Sequence, residues 1–323
     1  MKTLYRKYRP LKITDVVGQD HITSVLATAI KNNTPAHAYI FCGPRGTGKT
    51  SVARIFAHEI NQFAYTLEDY YVDIIEIDAA SNTSVENIRD LTEKIAIAPT
   101  DGRYKVYIID EVHMLSKSAF NALLKTFEEP PAHAIFILAT TDPEKIPVTI
   151  LSRAQVFTFH LAAPAVMIAH LKSIAEKEGI KITDDALALV VKRGGGSFRD
   201  TLSLLDQVAT LSSDTITKDL IESALGLPSS EIIAKIYAAL PAAIAATSSP
   251  TAGAGDPAVS AVVALLRDLI NAGKKPTAIA ADLIDLILEN LNPAYFYLID
   301  RLAAVSDPFS EAKLTVALLS KKA

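Results

Sequence analysis

Apolar residues in the first half of this chain arrive in short runs, each followed by a segment of helical spacing. Ala38-Tyr39-Ile40-Phe41 is a short apolar run of the kind a buried strand requires, and Ser51–Ala57 then carries apolar residues at helical spacing. Val72–Asp78 alternates like a strand, turn and capping residues follow at Ala79–Ser84, and Val85–Ala96 reads as a helix. Tyr104–Ile109 is rich in β-formers, Ser118–Phe127 is amphipathic with Phe120, Leu123, Leu124 and Phe127 apolar, and Ala134–Ala139 is a further strand. Before all of these lies a helix from about Asp20, its expected N-cap, to Asn32. Repeated β and α elements through about residue 160 predict a parallel sheet with helices on both faces.

Beyond Pro164 the period becomes helical and stays so. Val166–Glu178, Thr183–Lys192, Phe198–Leu211 and Thr217–Leu225 are predicted helices, with Thr183 and Thr217 as caps. Pro241–Pro257, rich in Ala, Ser, Thr, Pro and Gly, reads as a flexible loop. Val259–Ala272, Thr277–Leu291 and Glu311–Leu319 are amphipathic, and Tyr295-Phe296-Tyr297 with Leu298, Ile299 and Leu302 reads as packing. The expected division is an α/β domain over 1–162, a small helical lid over 163–226 and a helical domain over 227–323, with its loop at about 241–257.

Composition narrows this picture. The 323 residues are half hydrophobic, yet no apolar run is long enough to span a membrane, and the N-terminus lacks an apolar signal region, so a cytoplasmic location is expected. The lone Cys42 allows no intramolecular disulfide and no cysteine-rich zinc site, and reads as core packing. A formal charge of −4 argues against nucleic-acid binding by bulk charge. A local basic arm remains: Lys2, Arg6, Lys7, Arg9 and Lys12 precede the first acid, Asp15, and are interleaved with Tyr5 and Tyr8.

The chemistry-bearing pattern is Gly43-Pro44-Arg45-Gly46-Thr47-Gly48-Lys49-Thr50, which fits G-x-x-x-x-G-K-[ST] between a strand and a helix. Its glycines let backbone N–H groups wrap phosphates at a helix N-terminus. Lys49 is expected to reach the β/γ-phosphates and Thr50 to ligate Mg²⁺. Asp110-Glu111 stands at the C-terminal end of another strand, the edge where ligands gather in open parallel sheets. Asp110 is read as the Mg²⁺-supporting acid and Glu111 as the group that polarises water. Thr140-Thr141-Asp142 ends a third strand, where a hydroxyl can sense the γ-phosphate. His113 reads as a loop or helix-start residue. Arg199, in the first turn of a helix announced by Gly194-Gly195-Gly196-Ser197, is a cation where the helix dipole disfavours one, and is expected to reach back to phosphate.

These residues carry a resemblance. Tyr5–Pro10, His37-Ala38-Tyr39, Gly43–Thr50, Glu76–Ser81, Asp110–Ser116, Phe120–Pro131, Ala139–Pro143, Ile150–Arg153 and Gly196–Asp200 follow the pattern of the tau/gamma subunits of bacterial DNA polymerase III, which are AAA+ clamp loader ATPases. The resemblance covers residues 1 to about 226 well and the remainder weakly. It implies a P-loop AAA+ parallel-sheet domain, a helical lid and an all-α collar, with ATP and Mg²⁺ as ligands. Tyr8, Arg9, Pro10 and Val17 would line the adenine pocket; Gly43–Thr50 and Ser51 would hold the phosphates. Thr141 resembles the sensor 1 position, Arg199 resembles sensor 2, and Arg153 resembles the arginine finger that acts in trans on a neighbour's site. Arg103, Lys145 and Thr149 are candidates for contacting DNA backbone. The implied partners are a pentameric ring of delta-type and delta-prime-type subunits with further copies of this chain, a sliding clamp and primed DNA.

Two departures stand out. Asn61–Tyr71 holds no cysteine where the family usually carries a four-cysteine zinc module, so zinc is not expected, and Ala154 replaces the cysteine of a serine-arginine-cysteine motif. Two other readings stay open: a non-hydrolysing structural subunit of such a complex, and a different AAA+ DNA motor such as a branch-migration helicase.

Overall fold

The computed structural model describes residues 3–66, 70–81, 95–212, 214–248, 256–306 and 310–319. They divide into two compact units, Met1–Thr210 and Leu211–Ala323.

The first unit is built on strands β1 (Ala38–Cys42), β2 (Ile74–Asp78), β3 (Lys105–Asp110), β4 (Ala134–Thr140) and β5 (Gln155–Thr158). All pair in parallel, in the order β2-β3-β4-β1-β5. Because side chains alternate across a strand, the apolar runs of β1, β3 and β4 feed two cores at once. Ile40, Tyr107, Ile109, Phe136 and Leu138 point to one core, with Phe120, Leu123 and Phe127 of the helix Lys117–Glu128. Tyr39, Phe41, Val106, Ile108, Ile135 and Ile137 point to the other, with residues of α2 (Asp20–Asn32) and α3 (Lys49–Ile60). The register pairs Cys42 with Thr140 and Ile109 with Leu138, which brings the C-terminal ends of β1, β3 and β4 level.

Several boundaries differ from the sequence reading. The second strand begins at Ile74, not Val72, because the buried Asp73 carboxylate is committed to a turn: it accepts from the N–H groups of Thr100 (2.8 Å), Asp101 (2.7 Å) and Gly102 (2.8 Å). Strand β5 was not expected, and its four residues give too little alternation to stand out. The helix after the glycine loop is longer than expected and starts at Lys49 itself. Gln19, not Asp20, holds the N-cap position of α2, and Asp20 is its first residue. The expected helix Val85–Ala96, apart from its last two residues, and the turn residues Asn82–Ser84 before it lie outside the described residues. In the connection before β2, Phe63 stacks on Tyr71 with centroids 4.2 Å apart, and His58 meets Tyr65 at 4.6 Å.

The lid helices of this unit are α6 (Pro164–Glu178), α7 (Asp184–Gly194) and α8 (Phe198–Ala209), counting α4 as Lys117–Glu128 and α5 as Val148–Leu151. Ser197 caps α8 by accepting from Asp200 N at 3.2 Å. A four-residue helix α1, Leu4–Lys7, opens the chain.

The second unit is helical. Lys218–Ala224 is capped by Thr217, whose hydroxyl accepts from Leu220 N. Ser230–Ser248, Pro257–Asn271, Pro276–Asn290, Phe296–Ala303 and Ser310–Leu319 share one core containing Ile236, Leu240, Leu266, Leu283, Leu302 and Leu318. Here the expected loop over Pro241–Pro257 is corrected: helix Ser230–Ser248 runs through Pro241 to Ser248, and the next helix starts at Pro257. Proline removes one N–H from the ladder, but Leu240 and Ala243 are fully buried on either side of it, and the alanine-rich sequence favours the helix. Residues 249–255 lie outside the described set.

Candidate functional site

The chain turns sharply at the end of β1, and the turn is made possible by glycine. Gly43, Gly46 and Gly48 have φ of +137°, +76° and +100°, all in the region that side chains avoid. A Cβ on Gly46 would lie 2.0 Å from Ser197 Oγ, whereas one on Gly48 would meet nothing within 4 Å. Gly46 O accepts from Phe198 N at 3.0 Å, so the loop is fastened directly to the start of α8.

Lys49 opens α3 and is buried; its Nζ donates to Gly43 O (2.7 Å) and Pro44 O (2.9 Å). Burial lowers its pKa, opposed by the carboxylates of Glu111 and Asp110. Thr50 Oγ1 donates to Asp110 Oδ2 at 2.8 Å, so the two residues expected to support Mg²⁺ are already in contact. Asp110's pKa is raised, chiefly by burial; the Thr50 hydroxyl and the N–H of Glu111 work against this. A hydroxyl beside a carboxylate suits Mg²⁺, which takes one or two protein oxygens and completes its shell with phosphates and water. Among the described residues no cluster of three or more His, Cys, Asp or Glu is present to hold a metal by itself.

Glu111 follows the last residue of β3 in a left-handed conformation, φ +47°. Thr141 Oγ1 donates to Glu111 Oε2 at 3.2 Å, and His113 Nδ1 lies 3.4 Å from the same oxygen and 3.0 Å from Thr140 Oγ1. His113 sits in a 3₁₀ turn, Val112–Met114. Thr141 therefore meets the site through Glu111.

A cavity of about 210 Å³ runs along the loop. Tyr8, Arg9, Pro10 and Val17 line it, with Arg45–Ser51, Asp110, Glu111 and Arg199. Arg199 Cζ stands 5.5 Å from the centroid of the Tyr5 ring. Tyr5, His170, Phe198 and Leu202 also line the cavity and were not anticipated, since no motif joins them and only the fold brings α1, α6 and α8 together. The hints were the interleaving of Tyr5 and Tyr8 with basic residues and the place of Tyr5 and Phe198 inside the resemblance segments Tyr5–Pro10 and Gly196–Asp200. Burial lowers the pKa of His170, which meets Phe198 edge-on at 5.6 Å.

Arg153 is not among the residues lining this cavity. Its Nη1 donates to Thr149 O at 2.8 Å, Nη2 lies 3.5 Å from Glu128 Oε1, and the side chain faces a separate shallow depression with His37, Phe127 and Pro130. Arg103, Lys145 and Thr149 are all exposed but are not gathered into one cluster: Arg103 precedes β3, and Lys145, paired with Asp142 at 2.9 Å, follows β4.

Residues 18–162 match the family described as DNA polymerase III, delta subunit, and residues 167–214 match the DNA polymerase III clamp loader subunit, ATPase lid domain. The chain is 41% identical to DNA polymerase III subunit tau of Bacillus subtilis over 90% of its own length and 53% of that protein's. It is 46% identical to subunit tau of Escherichia coli over 70% of its length and 37% of that protein's, and 45% identical to subunit tau/gamma of Haemophilus influenzae over 70% and 35%. The chain thus spans about half or less of the length of the curated relatives it matches. Among solved structures, the Thermotoga maritima RuvB Holliday junction branch migration motor superposes with a TM-score of 0.56 at 21% identity, covering 71% of this chain and 79% of that one. At that identity the likeness is one of fold alone: a parallel α/β sheet followed by helices. The matched segments are those of DNA polymerase III subunits, and over most of its own length this chain is similar to the bacterial tau and tau/gamma subunits.

Proposed function

We propose that this chain is an ATPase subunit of a DNA polymerase III clamp loader, using ATP binding and hydrolysis to load a sliding clamp onto primed DNA. The observation that carries the reading is the Thr50–Asp110 hydrogen bond, 2.8 Å long, formed between the end of the glycine cradle that follows β1 and the end of β3, the next strand but one in the sheet. In this reading the base lies against Tyr8, Arg9, Pro10 and Val17, and the phosphates lie along Gly43–Ser51. Lys49 exchanges its carbonyl partners for phosphate oxygens. Thr50 and Asp110 hold Mg²⁺, which when bound neutralises phosphate charge. Glu111 orients and polarises the attacking water once its carboxylate turns from Thr141 towards the cradle, and Arg199 contributes charge from the lid.

Arg153 lies outside its own chain's cavity, which accords with a role in a neighbour's site. An arginine finger of that kind is worth about 10³–10⁵ in rate. The partners proposed are delta-type and delta-prime-type subunits with further copies of this chain in a pentamer, together with clamp and primed DNA, in the cytoplasm. Among the described residues no helix is long and apolar enough to cross a membrane. DNA gripping through Arg103, Lys145 and Thr149 would be salt-sensitive and largely independent of sequence. The division into 1–162, 163–226 and 227–323 is retained as the proposed domain plan, and zinc is not part of the proposal.

The test is ATP turnover with and without partner subunits, clamp and primed DNA. Stimulation by clamp and primed DNA is the expected result. Turnover indifferent to them, accompanied by branch migration, would replace this reading with that of another motor, and binding without turnover in any assembly would favour the structural subunit.

A further inference from the structure

Glu178 is the last residue of α6, and Gly179 after it is left-handed with φ +68°. An acid there faces the negative end of the helix dipole, an unfavourable place for a carboxylate. Its partners come from the N-terminal arm. Lys7 Nζ lies 2.7 Å from Glu178 Oε1, and the Tyr8 hydroxyl donates to the same oxygen. Hydrogen bonds from Lys7 and Tyr8 hold the Glu178 carboxyl below the usual carboxylate range, and Glu178 in turn pushes the Tyr8 hydroxyl up to about 12, so the donor stays protonated. The arm is fastened again at α8: Leu4 N donates to Asp206 Oδ2 at 3.4 Å, and Tyr5 lies under Arg199. The cavity wall Tyr8-Arg9-Pro10 follows these anchors without a break.

We propose that Glu178 is a positioning residue for the nucleobase: by fixing Tyr8 it holds the wall Tyr8–Pro10 against the cavity, so affinity for the base depends on the lid helix α6. This rests on the reading of the cavity as an ATP site. Neither the glycine loop nor the strand-end acids touch Glu178, so its effect falls on binding and not on the chemical step.

The experiment is a titration of the chain with Mg²⁺-ATP, comparing wild type with Glu178→Ala, Glu178→Gln, Tyr8→Phe and the double variant Tyr8→Phe/Glu178→Ala. Glu178→Ala is expected to raise the Kd about three- to tenfold, the span of one lost hydrogen bond. Glu178→Gln keeps an oxygen for the Tyr8 hydroxyl and should recover most of the affinity. Tyr8→Phe should raise the Kd in the same direction, and the double variant should be no worse than Glu178→Ala alone, since Glu178→Ala already removes the Tyr8 hydrogen bond along with the Lys7 contact. An unchanged Kd in Glu178→Ala, failure of Glu178→Gln to recover, or additive losses would overturn the inference. A wild-type chain that binds no ATP would instead refute the reading of the site on which it rests.

Discussion

Gly46→Ala tests how the glycine loop and the lid are joined. At φ +76° an alanine carries backbone strain of about 1 kcal/mol. Its Cβ would also stand 2.0 Å from Ser197 Oγ, which no real contact allows, so the serine must rotate away. Rotation breaks the cap that Ser197 gives to Asp200 N, worth about 1 kcal/mol. If the loop moves as well, the Phe198 N to Gly46 O bond of 3.0 Å is weakened. The sum is about 2–3 kcal/mol, which for a unit of this size is a fall in Tm of roughly 5–10 °C. The assay is thermal and urea unfolding of wild type, Gly46→Ala, Ser197→Gly and the double variant. Ser197→Gly alone should cost only a few tenths of a kcal/mol, because glycine is a tolerable N-cap. In the Gly46→Ala background the same change removes the colliding oxygen, so the double variant should be no less stable than Gly46→Ala. A Gly46→Ala protein within about 0.5 kcal/mol of wild type, or strictly additive losses, would refute the steric argument.

Other outcomes follow from the same geometry. Asp73→Ala removes the buried carboxylate that three N–H groups of the turn at Thr100–Gly102 share and should destabilise the first unit by about 2 kcal/mol, measured by urea unfolding. Burial pushes the Asp73 carboxyl up, but the N–H groups of Gly102, Thr100 and Asp101 outweigh it and hold the pKa below the usual carboxylate range. The stabilisation is therefore complete above the ordinary carboxylate pKa and is lost as pH falls through the depressed native value; Asp73→Asn should remove that acid-side loss from a stability-versus-pH series. Thr50→Ala should spare nucleotide binding in the absence of Mg²⁺ and abolish the strengthening that Mg²⁺ gives, as read by titration with and without the metal. Arg153→Ala should leave binding by the isolated chain unchanged and cut turnover of an assembled complex by at least about 10³. Equal turnover in every assembly state would show that Arg153 does not act in trans.

The parts of the fold legible in sequence were those set by local periodicity. Strands β1, β3 and β4 are buried on both faces and read as apolar runs, and the lid helices read at helical spacing. The strand-end acids and the glycine loop were legible because their chemistry is carried by contiguous residues. What escaped was decided by distant contacts. Asp73 looked like part of a strand until three N–H groups about 27 residues away claimed its carboxylate. Pro241 looked like a loop residue, yet Leu240 and Ala243 beside it are buried in a helical core. Tyr5, His170 and Phe198 join the cavity only because α1, α6 and α8 converge on it. The hold of Thr141 on Glu111 follows from the register that levels the ends of β3 and β4, which spacing along the chain does not express.

The most direct test of the ATP site is equilibrium binding of Mg²⁺-ATP to the purified chain beside Lys49→Ala. The lysine is buried at the head of α3 with its ammonium on the loop carbonyls. One ATP bound per wild-type chain, and none by a Lys49→Ala chain that remains folded by circular dichroism, is the predicted result. Equal binding by both proteins, or none by wild type, would contradict the assignment of Gly43–Thr50 as the phosphate cradle.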